Sequence, residues 1–543
     1  MATSAPFATP IVARRVATGT PSAGRRIARN TAIFSFATGL SRVAGLGREV
    51  VASAFFGTSG AFSAFTIAFQ VPNLIRSLFA DAALSSAFVP VFTELLEKGE
   101  RRDAYRLAST LLVLIFAVLG VITAVFIAGA PVLMDLFTGD EFGPRLDALT
   151  AGLARVMFPI VVLLGLNGLL VGILNAYDHF SIPAISPLAW NVVILAFLIA
   201  GHATLDGADQ LYAYAIGIVA GTAVQLAMAL PVLRRLRFPL VSGVNLRDPR
   251  LRRVLVLMLP VTLGLGLINF NLLINSILGS SVSVNAPRAI DAAFRIYMLP
   301  QGLFSVAVAT VLFPALSRFA ARRDVDGLRA LTANGVRGIF LLLVPCAALT
   351  LALAEPITQL VYQRGDFGPE STAMVATALF FFSFSLPFAG ASLLLTRAFF
   401  SLQRPWLATG LAALNLAVNV AVSVALYRPF GIAGIVTGTA VGSAVLTVAQ
   451  TVVLRRRLGG RIEAGATLAA LARIVVAAVA LGLIARVTWA ALDDLLGRGL
   501  LGQLASVGTG VCAGLLVYTG IVLLLRVREA QQIRGLVAAR LGR

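Results

Sequence analysis

Residues 30–56 read NTAIFSFATGLSRVAGLGREVVASAFF, apolar enough at both ends to cross a bilayer but interrupted by Arg42, Arg48 and Glu49. A spanning helix needs about 20 mostly apolar residues. An arginine at mid-bilayer costs about 2.5–3.5 kcal/mol even on a permissive insertion scale, so one that persists faces a cavity or a partner. On an unbroken helix Arg42, Gly45 and Glu49 share a face, and Arg48 lies about 120° away. Gly45 and Gly47 permit a bend that would bring both arginines to one cavity. A local Arg42–Glu49 pair is the alternative.

Whether the segment meets a membrane is decided by composition. Of 543 residues, 58% are hydrophobic and 13% charged, and mean hydropathy is +0.91; soluble domains are about 45–50% apolar. The chain therefore reads as an integral membrane protein. Its net charge of +20 implies no nucleic-acid partner, because the arginines stand in short runs between apolar stretches rather than on one basic face. Lys98 is the sole lysine, so lysine catalysis and a P-loop are excluded. Cys346, Cys512, His179 and His202 are isolated in sequence and make no metal site or disulfide framework. The first thirty residues lack a signal-peptide core and read as a disordered tail.

Apolar segments of spanning length recur about fourteen times, among them 60–80, 289–316, 405–427 and 431–454. The loops between them alternate in charge. Arg101 and Arg102, then Arg234 and Arg235, then Arg322 and Arg323, then Arg455, Arg456 and Arg457 fall on one side, whereas Asp135, Asp140 and Glu141, then Asp206 and Asp209, fall on the other. Cytoplasmic loops carry the arginine excess, which places both termini inside. A weak repeat links LNAYDHFSIP (Leu174–Pro183) with TRAFFSLQRP (Thr396–Pro405), and the sequence around Pro72 with that around Pro300. The expected fold is an all-α polytopic membrane protein of two six-helix lobes related by pseudo-symmetry plus two C-terminal helices. Its parts are a disordered basic cytoplasmic tail (1–28), an N-lobe (29–236), a basic cytoplasmic linker (237–252), a C-lobe (253–457), a final helix pair (466–526) and a cytoplasmic tail (527–543).

Arg42, Arg48, Arg76 and Arg295 are the mid-span cations, and Arg76 and Arg295 each neighbour a proline at matching places in the two repeats. Four guanidiniums converging on a wet cavity suit a strongly anionic ligand such as a diphosphate, which planar forks engage bidentately. The chain has no GxxxxGK[ST] motif, so transport energy would come from an ion gradient, the membrane potential or substrate flux. No nucleophile and base arrangement marks a catalytic site, and the chain is expected to be a transporter rather than an enzyme.

SRVAGLGREVVASAFFG, AFQVPNLIRSLFADAALSSAFVPVF, RIYMLPQGLFSVAVATVLFPALSR and VYQRGDF (Val361–Phe367) together resemble the MurJ (MviN) family of lipid II flippases over roughly residues 30 to 460. The resemblance implies the MOP superfamily fold, residence in the bacterial cytoplasmic (inner) membrane, and movement of lipid II, the undecaprenyl-diphosphate-linked peptidoglycan precursor, to the outer leaflet by alternating access. It matches the family's cavity arginines to Arg42, Arg48, Arg76 and Arg295 and makes 466–526 a groove for the lipid tail. Gly45, Gly47, Glu49, Pro72 and Pro300 are the expected gating or hinge positions.

Two positions depart from the family pattern: Ser63 stands where an acid is common, and Phe294 precedes Arg295 where an aspartate is common. These departures remove the acids to which gating or arginine pairing would be tied. Some family members bind sodium, and Asn271, Asn275, Asn415 and Asn419 are the candidate positions here, none of them acidic. Expected partners are lipid II and membrane lipids, with no cofactor beyond a coupling ion or membrane potential. The chain is expected to be a monomer that can associate with cell-wall synthesis machinery. Rival readings are a flippase for another polyprenyl-diphosphate oligosaccharide and a cation-coupled drug exporter.

Overall fold

The computed structural model describes residues 21–531 apart from Ala80, Asp178, Arg237, 239–243, 460–463 and Arg498, together with residue 535. The described residues are helical throughout: α1 (Pro21–Phe56), α2 (Gly60–Phe79), α3 (Asp81–Glu97), α4 (Arg101–Asp135), α5 (Gly143–Met157), α6 (Ile160–Ala176), α7 (Ser181–Thr204), α8 (Ala208–Arg235), α9 (Pro249–Ser280), α10 (Ala286–Pro300), α11 (Val306–Ala321), α12 (Val325–Ala352), α13 (Ala354–Tyr362), α14 (Pro369–Ser383), α15 (Leu386–Ser401), α16 (Pro405–Arg457), α17 (Ala464–Leu496) and α18 (Leu500–Leu524). Only helix satisfies every backbone group within its own segment, which is what a lipid-facing chain requires.

Each expected segment falls on helix, but length and hydropathy alone qualify 10 helices as spans, or 11 if α14 and α15, bent by 48°, count as one. The difference from about fourteen has local causes. The segments 405–427 and 431–454 both lie on α16, whose helical φ/ψ breaks at Gly431 (φ 56°, ψ −133°) just after Pro429. A positive φ costs glycine nothing and any other residue about 1–2 kcal/mol. The chain then folds back on itself. Gly434, Gly438 and Gly442 fall at i, i+4 and i+8, and a Cβ on them would lie 2.1 Å from Leu426 O, 2.1 Å from Ser423 Oγ and 2.6 Å from Asn415 Oδ1. Such small-residue stripes let two membrane helices approach to backbone contact. The arginine-bearing α1 and the short α2 and α3 are also outside the qualifying 10.

The two expected hinge prolines differ. Pro300 lacks the N–H that would bond to the Ile296 carbonyl, and a π-turn follows at Gln301–Ser305 before α11 resumes. Pro72 lies inside α2 without breaking it. The glycines of α1 behave otherwise. Helix continues through Gly45 and Gly47, so they are no hinge in this conformation. A Cβ on Gly45 would stand in ordinary contact with the Asn191 side chain of α7, at 3.6 Å, and Gly47 faces open space.

Helix α9 is shared between the two halves. Leu273 belongs to the core formed by α1, α2 and α4–α8, and Leu251 and Val254 to that of α3, α4, α6 and α8. Asn275 Nδ2 donates to Thr439 Oγ1 in α16 at 3.0 Å. The C-terminal half has its own core, from Ala289 to Leu458. The last helix pair packs on α12 through Leu341, Ile474, Leu481 and Tyr518.

Two segments expected to be tails contain described helix. Residues 1–20 of the first lie outside the described residues, but 21–28 already belong to α1, where proline at the first helical position loses no needed donor. In the second, Glu529 is buried and accepts from Arg337 Nε of α12 at 2.5 Å, while Arg337 Nη1 donates to Thr467 Oγ1 of α17 at 3.2 Å. Removing one partner of a buried ion pair costs about 3–5 kcal/mol. Glu529→Ala is therefore expected to lower the unfolding temperature in detergent by several degrees and to increase protease cleavage after α18. An unchanged melting curve would contradict this role for the tail.

Candidate anion-binding site

The site is built where α1 meets α10. On α1, Arg48 and Glu49 are charged side chains that are buried. On α10, Arg288, Asp291 and Arg295 recur at i, i+3 and i+7 and so share one face. Arg288 Nη2 donates to Glu49 Oε1 at 2.5 Å and Nη1 to Asp291 Oδ2 at 3.0 Å. Arg295 Nε lies 2.9 Å from Asp291 Oδ2 and 3.2 Å from Glu49 Oε1. Two carboxylates and two guanidiniums thus alternate in a charge-balanced ring that joins the first helix to the tenth. Low-dielectric surroundings make each contact stronger and make any unpaired member costly.

The ring is asymmetric in exposure. The Arg288 side chain is 1% exposed and that of Arg295 34%. Arg288 is further fixed by Ser53 Oγ at 2.8 Å and by the face of Phe62, 4.2 Å from its guanidinium carbon. Its backbone N–H donates to Ser63 Oγ at 3.3 Å. A hydroxyl at position 63 therefore ties α2 to the start of α10. Beside the ring is a cavity lined by Phe65, Thr66, Gln70, Tyr214 and Arg295 among others.

The four arginines picked from the sequence do not all reach this cavity; of the four, Arg295 alone lines it. Arg48 is buried with its guanidinium carbon 4.8 Å from the Trp190 ring centre, a cation–π contact. It faces α7, which carries Trp190. Arg42 is exposed on α1, and its Nη1 would lie 3.6 Å from a Cβ on Gly302, in the π-turn after Pro300. Arg76 donates from Nε and Nη2 to Asn73 Oδ1 at 3.0 and 2.8 Å, and Asn73 Nδ2 reaches Asn269 Oδ1 of α9 at 3.4 Å. Among the described residues Arg42 and Arg48 form no ion pair. The local Arg42–Glu49 pair does not form, since Glu49 is taken by the arginines of α10.

Sequence reading missed Arg288 and Asp291. A span drawn at 289–316 leaves Arg288 at its edge, whereas α10 starts at Ala286. The available signal was the i, i+3, i+7 spacing of Arg288, Asp291 and Arg295. The expected loss of an acid beside Arg295 is corrected by Asp291, one helical turn earlier, which supplies the pairing carboxylate.

One family description, lipid II flippase MurJ, matches residues 52–496. The chain belongs to the MurJ lipid II flippase family. A probable lipid II flippase MurJ of Rhizobium meliloti (strain 1021) is 32% identical over 466 residues, covering 83% of this chain and 85% of the relative. A solved lipid II flippase MurJ in an inward closed conformation covers 93% of this chain and 99% of its own, with a TM-score of 0.75 at 19% identity. An inward-facing multidrug resistance MATE family transporter of the MOP superfamily covers 77% of this chain and 94% of its own, with a TM-score of 0.66 at 15% identity. These structural likenesses establish the shared fold. As a MurJ-family chain with many apolar helices, the protein is a multi-pass protein of the bacterial inner membrane.

The MurJ-family segment VYQRGDF closes one end of the molecule. Asp366 N donates to Ala54 O of α1 at 2.8 Å, and Thr58 Oγ1 meets Ser371 Oγ at 2.8 Å. Gly57 and Gly365, both with positive φ, make the approach possible: a Cβ on Gly57 would lie 2.6 Å from Asp366 O, and one on Gly365 2.3 Å from Ala54 O. At the other end, exposed pairs link α9 to α3 and α4, Arg253 with Glu94 and Arg250 with Asp103. Exposed pairs of this kind contribute at most about 1 kcal/mol.

The candidate ion positions do assemble. Asn419 Nδ2 donates to Asn271 Oδ1 and, at 3.4 Å, to Asn275 Oδ1, while its Oδ1 accepts from Ser423 Oγ at 3.1 Å. Asn415 Oδ1 is buried without a partner beside them. These oxygens are largely spent within the cluster, and no group of three or more His, Cys, Asp or Glu occurs among the described residues. Hard cations favour carboxylate oxygens turned toward the ion. The set holds no carboxylate, and it ties α9 to both arms of α16.

Proposed function

We propose that the chain moves lipid II, the undecaprenyl-diphosphate-anchored peptidoglycan precursor, from the cytoplasmic to the outer leaflet by alternating access. Family membership supports the substrate class. The observation that carries the site is Arg295, one-third exposed within a membrane helix, with both carboxylate contacts made through Nε. Its outer edge is left for an anion. Arg42, with no carboxylate partner among the described residues, stands at the rim by the π-turn as a first contact for phosphate. Arg48 adds positive field from beneath, and Arg76 is steadied by Asn73. Such a surplus of guanidiniums suits a diphosphate and opposes a cationic drug.

The positive-inside rule puts the Phe56 end of α1 on the outer side. The contacts of Ala54 and Gly57 with Gly365 and Asp366 would then be the outer gate, and the Glu49–Arg288–Asp291–Arg295 ring its inner support. Diphosphate entering from the cytoplasm competes with Glu49 for Arg295, and the weakened link between α1 and α10 lets the outer side part as the halves rock. Depletion of the protein in its host tests the reading. Lipid II is expected to accumulate on the inner leaflet, and unchanged delivery to the outer leaflet would overturn it.

A further inference from the structure

We propose that Arg288 is a positioning residue for anion capture. By holding Glu49 and Asp291 through its own nitrogens, it keeps the two carboxylates from closing fully on Arg295 and from repelling the incoming diphosphate. The inference rests on the reading of Arg295 as a diphosphate contact and adds to it.

Arg288 itself is too deeply buried, at 1% exposure, to touch a lipid-borne ligand. What it touches is the set of groups that decide the state of Arg295. Glu49 Oε1 lies 2.5 Å from Arg288 Nη2 and 3.2 Å from Arg295 Nε, and Asp291 Oδ2 lies 3.0 Å from Arg288 Nη1 and 2.9 Å from Arg295 Nε. Each of these oxygens is therefore shared between the two arginines. Remove Arg288, and two carboxylates, Glu49 buried and Asp291 nearly so, face one guanidinium whose side chain is more exposed. That guanidinium then turns its Nη edge inward to form forked pairs, because a buried carboxylate left unpaired is costly. The anion loses its contact and meets a net negative surface.

While Arg288 is present, a diphosphate that takes Arg295 leaves the carboxylates still paired. Ser53 and the Phe62 ring hold the guanidinium in the plane this requires. Three elements thereby cooperate: α1 supplies Glu49 and Ser53, α2 supplies Phe62, and α10 supplies the two arginines and Asp291.

The test is charge balance, which a merely structural role would not obey. Affinity for undecaprenyl diphosphate is measured on the full chain in detergent for wild type, Arg288→Gln, Arg288→Gln with Asp291→Asn, and Arg295→Ala, with an unfolding temperature for each. Arg288→Gln is expected to weaken binding by about tenfold or more, since one unit of charge is lost a few ångströms from the ligand. Adding Asp291→Asn removes one carboxylate and is expected to bring affinity back to within about threefold of wild type. Wild-type affinity in a folded Arg288→Gln, or a folded double variant no tighter than the single, overturns the proposal. Should the single variant fail to fold, the double decides alone: near-wild-type affinity supports the proposal and a large loss overturns it. Wild-type binding by Arg295→Ala would instead overturn the underlying assignment of Arg295, and this inference with it.

Discussion

Cells that depend on this chain and carry Arg295→Ala are expected to stop growing, with lipid II retained on the inner leaflet. The substitution acts twice. It removes the one-third-exposed side chain offered to the diphosphate, and it leaves Glu49 and Asp291 to Arg288 alone. The second effect weakens the tie between α1 and α10, and the first removes a charge-assisted contact worth about 1.5–3 kcal/mol, or roughly ten- to a hundredfold in affinity. Arg295→Lys is expected to fail as well. A lysine ammonium is a compact point charge and does not spend one edge on the carboxylates while presenting a second, planar edge to phosphate. Western blotting separates loss of function from loss of protein. Normal growth of Arg295→Lys at wild-type protein level would count against the forked geometry, and normal growth of Arg295→Ala against the site.

Gly365→Val is expected to hold the outer end open. Its Cβ would lie 2.3 Å from Ala54 O at a φ of 57°, so the residue combines backbone strain of about 1–3 kcal/mol with a clash against unyielding main chain. The Asp366 N to Ala54 O bond depends on that approach. A bias of about 2 kcal/mol changes a two-state ratio roughly thirtyfold, enough to reverse a modest preference for the closed form. The readout is labelling of Thr58→Cys by a membrane-impermeant maleimide, with Cys346 and Cys512 replaced by alanine. Thr58 is 3% exposed, so labelling should be slow in the parent and much faster with Gly365→Val, while flipping falls. Equal labelling rates would show that the two glycines do not control access. Gly57→Ala, with a Cβ 2.6 Å from Asp366 O, is expected to act in the same direction.

Much of this was legible in the sequence because membrane helices announce themselves by length and because a mid-span charge is costly enough to need a reason. Arg295 and Glu49 could be picked on that ground, and Pro300 does introduce a break, the π-turn at Gln301–Ser305. What could not be read was partnership across long separations. Glu49 meets Arg288, 239 residues away, and no local spacing in α1 hints at it. The glycines of α1 were expected to permit a bend, but helix continues through Gly45 and Gly47, and Arg48 lies against the Trp190 ring. By contrast Gly57, Gly365 and Gly431 do take positive φ, and their places follow chain reversals that hydropathy alone does not locate.

Binding selectivity bears most directly on the claim that the Arg295 ring captures a diphosphate. Affinities of the purified chain for undecaprenyl diphosphate and undecaprenyl monophosphate should be compared for wild type and Arg295→Ala. Wild type is expected to prefer the diphosphate by about tenfold or more, and Arg295→Ala to lose most of that preference while keeping weak binding through the lipid tail. Equal wild-type affinity for the two lipids, or a preference untouched by Arg295→Ala, would contradict that claim.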